Sequence, residues 1–158
     1  MTGPKAKKKD ASAERDLQGF IDRYTPEIAT LARACLKKMR AKLPGAVQLI
    51  YDNYNALAIG FGPSERASEA IFSIVLYPRW VTLFFLQGAG LPDPNKLLKG
   101  GGKVVRHIVL AAAEDLDKPA IQGLMTTALN RAKVAMDPDA PGKLEIRAIS
   151  AKQRPRRP

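Results

Sequence analysis

The run 71–86, IFSIVLYPRWVTLFFL, constrains the fold more than any other part of the chain. Two segments rich in β-branched and aromatic residues, 71–77 and 80–86, are joined only by Pro78 and Arg79, a connection short enough to demand an antiparallel hairpin. With Tyr77 paired to Trp80, strand alternation sets Val75 opposite Thr82, Ser73 opposite Phe84 and Ile71 opposite Leu86 on one face. The other face holds Phe72, Ile74, Leu76, Val81, Leu83 and Phe85. That face is wholly apolar and must lie beneath other elements. The first face mixes Tyr77, Trp80 and Phe84 with hydroxyls, so it is expected to stay open, either half solvated or in contact with something.

Covering elements are visible on both sides. Residues 13–24 place Leu17, Phe20, Ile21 and Tyr24 at helical spacing. Thr25 and Pro26 then supply an N-cap and a first-turn proline. The helix they open carries Ile28, Leu31, Ala32, Cys35, Leu36 and Met39 on one stripe and stops at Pro44 and Gly45. A later helix is expected with Asp117 as cap, Pro119 in its first turn, and Ile121, Leu124, Met125 and Ala128 on one face. Segments 46–51 and 56–61, around the turn residues Asp52 and Asn53, predict a second hairpin, and 104–110 and 143–149 read as further strands. Helices segregated from strands that are joined by short turns define an α+β two-layer sandwich. It has an antiparallel sheet of about five or six strands with helices packed on one face.

At 158 residues and 46% apolar content, one core is expected. The net charge of +11 suggests a polyanion partner until it is located: residues 1–10 carry +3 and residues 151–158 carry +4. Both ends are rich in Lys, Arg and Pro and have little to bury. The expected organisation is a disordered basic arm over 1–12, one domain over 13–150 and a disordered basic tail over 151–158, whose loss should leave the fold intact. The tails would hold nucleic acid only nonspecifically, through counterion release. A lone cysteine, Cys35, excludes an intramolecular disulfide and a multi-cysteine zinc site, and on an apolar stripe it is expected to be inert. No apolar run approaches the roughly 20 residues that span a bilayer, and no signal-peptide core follows the lysines, so a cytoplasmic location without membrane contact is expected.

Chemistry concentrates in 91–110, LPDPNKLLKGGGKVVRHIVL. Gly100, Gly101 and Gly102 permit positive φ and close approach, and Lys103, Arg106 and His107 follow. A Walker loop needs Ser or Thr after its lysine and a helix next; here Val104 follows Lys103 and a strand comes next. Two readings remain, a structural turn and an edge that binds an anion or acidic partner through Lys103 and Arg106. His107 is the chain's only histidine and has no paired acid or base, so no catalytic residues and no enzyme activity are expected. Alternation sets Val105, His107 and Val109 on one face and Arg106 on the other, so both cations reach one site only through a bulge.

Gly88, Ala89, Leu91, Asp93, Pro94, Leu97, Leu98, Gly100, Gly102, Lys103, Arg106 and His107, set after paired apolar strands and before a capped helix, resemble the motif of the YdhG-like domain family. Leu43, Pro44, Gly45 and Ala46 extend the likeness, which covers about residues 17–131. The resemblance implies a fold similar to that of frataxin, and one member is described as a frataxin-like iron chaperone. The expectation is a small non-enzymatic binding or carrier domain without a cofactor, monomeric or weakly dimeric. Tyr77, Trp80, Phe84, Gly100, Gly102, Lys103, Arg106 and His107 form its contact surface for a protein or small ligand. The alternative is an iron-binding chaperone with Asp16, Asp22 and Glu27 as ligands, since hard cations want several oxygens.

Overall fold

The computed structural model describes residues 4–158, with side chains from residue 10 onward. Helices α1 (Pro4–Asp22) and α2 (Pro26–Lys42) precede strands β1 (Val47–Asp52), β2 (Leu57–Gly62), β3 (Phe72–Leu76), β4 (Val81–Phe85) and β5 (Arg106–Leu110). Helix α3 (Pro119–Arg131) and strand β6 (Lys143–Ile149) complete one sheet of order β5-β4-β3-β2-β1-β6. This is the α+β sandwich that the periodicities predict. The central hairpin has the predicted register, with Ser73 opposite Phe84, Val75 opposite Thr82, and Tyr77 N–H donating to the Trp80 carbonyl at 2.9 Å.

Registry makes the buried face continuous. Ile146, Ile50, Ile59, Ile74, Leu83 and Ile108 are successive partners in one row across all six strands. Leu17 and Ile21 of α1, Ala32, Cys35 and Met39 of α2, and Leu124 and Met125 of α3 belong to the same buried cluster. Thr25 caps α2 as expected, accepting from Ile28 N–H at 3.4 Å.

Four expectations are corrected. First, α1 begins at Pro4, so residues 4–12 of the expected arm are helical, and its first three residues lie outside the described residues. Lys and Ala, which make up most of this segment, are strong helix formers, and once the docked turns exist each added residue gains a hydrogen bond without a new nucleus. Second, Asp117 does not cap α3. It ends a 3-10 turn, Ala113–Asp117, and takes Lys38 and Lys42 at 2.5 and 2.9 Å, tying that turn to α2. Third, β6 pairs with β1 in parallel, making the sheet mixed. The chain crosses from one sheet edge to the other through α3, and such a crossover brings a strand in alongside β1 in the same direction.

The fourth correction concerns the tail 151–158, which is docked. Ser150 N–H donates to the Asp52 carbonyl at 2.9 Å and Arg154 N–H to the Tyr54 carbonyl at 2.8 Å, continuing the β6 path along the β1–β2 turn. Arg156, 3% exposed, places Nη2 at 2.9 Å from Oδ1 of Asp52, itself 1% exposed. Arg23 Nη1 and Gln153 Nε2 reach the other carboxylate oxygen at 3.3 and 2.9 Å. Tyr24 lies against the same group, its ring centroid 5.8 Å from the Arg156 guanidinium and its hydroxyl bridging β2 and β3. Arg157 donates to the Arg23 and Asp22 carbonyls, where the end of α1 leaves acceptors unpaired. Basic composition favours solvent only where no buried carboxylate is on offer.

A second ion pair joins α1 to α2. Arg40 donates to both oxygens of Glu14 at 2.9 and 2.8 Å, which holds that carboxyl below its ordinary 4.5. Because the native pKa is the lower one, the stabilisation is complete above the unfolded value and lost as pH falls through the native value. Glu14→Gln is expected to cost about 0.5–1 kcal/mol at pH 7, the range of a partly exposed pair. In thermal melts the gap to the parent should close as pH is lowered below 4.5; a gap that widens in acid would contradict the pairing.

Candidate functional site

The face of the sheet away from the helices carries the predicted aromatic residues. Along β4, Trp80, Thr82 and Phe84 alternate outward beside Tyr77 and Val75 of the β3 side and His107 and Val109 of β5. Thr82 and Val75 form a buried floor, whereas Trp80 is 46% exposed and Val109 53%. Tyr77 and Trp80 rings sit 5.7 Å apart, and Phe84 and His107 rings 5.4 Å apart. Burial pushes the Tyr77 hydroxyl above its ordinary pKa, so it is a neutral hydrogen-bonding group at physiological pH.

The glycine loop is pinned to this edge by three devices. Asp93 accepts from Leu97 and Leu98 N–H at 2.9 and 2.8 Å, turning both leucines onto the core. Lys99 then exchanges two backbone hydrogen bonds with His107, at 2.8 and 2.9 Å, adding one rung beyond β5. Gly100 makes the reversal at φ +116, where a Cβ would stand 3.5 Å from Nδ1 of His107. Gly102 has no positive φ, and its nearest neighbour to an added Cβ is 4.0 Å away. Gly100 is thus the glycine the turn requires.

Arg106 leaves the predicted surface. The β4–β5 ladder has no bulge, so Arg106 points to the helix side while His107 faces out. Its Nη1 donates to the Gly102 and Val105 carbonyls at 2.5 and 2.8 Å. The loop therefore presents carbonyls to a guanidinium, the reverse of an anion cradle built from N–H groups. Lys103 stays exposed, without an ion pair among the described residues. Val105 and Val109 join the surface, as alternation implied, and Lys99 joins it through its bridge to His107.

The chain segment that builds this face is one-sided in charge. Between residues 70 and 113 the sole carboxylate is Asp93, already occupied by backbone donors, against Arg79, Lys96, Lys99 and Lys103, with Arg106 turned to the helix side. This segregation was legible in the sequence as a stretch with a single acid. The alternative iron ligands are not gathered: Asp22 holds Arg33 at 2.5 Å, and among the described residues no group of three His, Cys, Asp or Glu is placed to hold a metal. Cys35 is buried and its thiol is pushed up to about 12, so it is no nucleophile at neutral pH. No helix among the described residues is long and apolar enough to cross a membrane. Compared with models of known protein families, with curated proteins and with solved structures, the chain matches none.

Proposed function

We propose that this chain is a small non-enzymatic binding domain of the YdhG-like kind, whose open β3–β5 face and Lys99–His107 edge take an acidic polypeptide. The observation that carries this reading is the coincidence of exposed Trp80 and Val109 with an edge of cations that lacks a free carboxylate. Apolar anchors of this type supply affinity, and a rim of like charges supplies attraction and orientation. A cofactor has no part in it.

Trp80 is the chain's only tryptophan, so its emission reports on this face directly. Titration with polyglutamate is expected to shift that emission, less so at high salt. The Lys99→Glu/Lys103→Glu variant should bind at least tenfold more weakly with an unchanged thermal midpoint, both side chains being exposed. Binding elsewhere, at the basic ends for instance, would leave the emission untouched. An oligothymidylate that moves the Trp80 signal at lower concentration than polyglutamate would replace the polypeptide by nucleic acid. Silence with both polyanions would remove this face as a binding surface.

A further inference from the structure

At the end of the sheet where β3 begins and β4 ends lies a cavity of about 450 Å³, remote from Trp80 and roofed by the C-terminal end of α3. Its position follows from the chain path. The 3-10 turn Ala67–Glu69 lifts the chain off the sheet before β3, and residues 87–91 loop away after β4. The last turn of α3 crosses the opening between them, and Arg131 Nη1 donates to the Gly90 carbonyl at 3.0 Å, fastening helix to loop. Small residues, Ala128 on the helix and Ala132 just past its end, leave the space that larger side chains would fill.

The lining has two parts. Ile71, Ala89, Leu91, Ala128 and Ala132 make an apolar interior, with Ile71 and Leu91 buried. Arg131 and Lys133 stand at the mouth, both exposed. Glu69 is the carboxylate of the lining, and it already accepts from Ser64 Oγ at 2.7 Å with Arg66 at 3.9 Å. The C-terminus of α3 contributes about half a negative charge, which two full positive charges outweigh. An apolar chamber of this size with cations at its entrance matches the general form of small-molecule sites, in which apolar walls supply affinity and few polar groups fix orientation.

We infer that this cavity binds a small amphipathic carboxylate, its apolar body among Ile71, Leu91 and Ala132 and its carboxylate at Lys133 and Arg131. The site is separate from the β3–β5 face and stands or falls independently of it. Two probes of equal shape, 4-phenylbutyrate and its uncharged amide, separate the apolar from the charged contribution. In amide-proton chemical-shift titrations the acid is expected to perturb residues 68–71, 87–91 and 128–134 saturably. The amide should bind at least fivefold more weakly. Lys133→Glu should abolish that preference, and because the side chain is exposed the fold is expected to be untouched. Ala132→Phe fills the chamber and should weaken both probes tenfold or more; Ala128→Leu does the same should the first variant melt early. Equal affinity for acid and amide, shifts mapping to the Trp80 face, or undiminished binding to a filled chamber would each overturn the assignment.

Discussion

Arg156→Ala is expected to lower the thermal midpoint by on the order of 10 °C, in a segment whose composition advertises disorder. Removing one partner of a buried ion pair leaves the other charge without compensation, at a cost of about 3–5 kcal/mol. Asp52 keeps Arg23 and Gln153, which sets the expectation near the lower end, about 3 kcal/mol, and each kcal/mol moves the midpoint of a chain this size by roughly 2–4 °C. Truncation after residue 150 removes Gln153 and Arg157 as well and should cost more. The Asp52→Asn/Arg156→Ala double variant is expected to lose clearly less than the sum of the two single changes, because each removes the same interaction. Thermal melts of the parent, the two single variants, the double variant and the truncated chain decide it: strict additivity, or a truncated chain that melts within a degree or two of the parent, would show the tail resting on the domain without supporting it.

The second large effect belongs to Gly45. It lies in the turn between α2 and β1 at φ +80, and a Cβ there would run into the Asp137 carbonyl, with Ala140 backbone atoms at 3.1 and 3.3 Å. Strain in the left-handed region adds to a backbone collision that no rotamer can relieve. Gly45→Ala is expected to cost about 2–4 kcal/mol, the sum of a strained φ and a forced shift of the 137–140 loop. Gly100→Ala should cost about 1 kcal/mol, since its φ is positive but its nearest contact, 3.4 Å, is ordinary. Gly102→Ala should be close to neutral. The order Gly45, Gly100, Gly102 in denaturation midpoints is the test; a Gly102 variant as damaging as the Gly45 variant would contradict this geometry.

The open face shows where local pattern is informative. Tyr77, Trp80 and Phe84 were assignable to it because a two-residue connection leaves one register, and strand alternation then orients every side chain. His107 follows by the same parity once β5 is regular, and so does the exclusion of Arg106. The role of Arg106 was not legible, because it depends on where the Gly102 and Val105 carbonyls turn, and those follow from Gly100 and from the Lys99 rung. Lys103 kept the exposed position that its charge implied. The cavity under α3 had no sequence signal. Alanines on a helix face read as ordinary core positions, and only the spacing of three separate elements makes them line a space.

What the amino-acid order determined by itself was everything governed by short-range periodicity and steric rules. The α2 cap at Thr25 and Pro26, the register of the 71–86 hairpin, the existence of the 46–61 hairpin and the division of the sheet into a buried and an open face all depend on neighbours a few residues apart. Only the tertiary structure decided the rest. The parallel pairing of β6 with β1 depends on the length and path of a crossover through α3. The upstream extension of α1 depends on a helix already held by its docked turns. Docking of the tail depends on Arg156 meeting a carboxylate 104 residues away, in a pocket closed by Tyr24. A charged segment read in isolation is compared with water. In the folded chain it is compared with a buried Asp52 whose other cation, Arg23, is half exposed, and that comparison exists only once the sheet has formed.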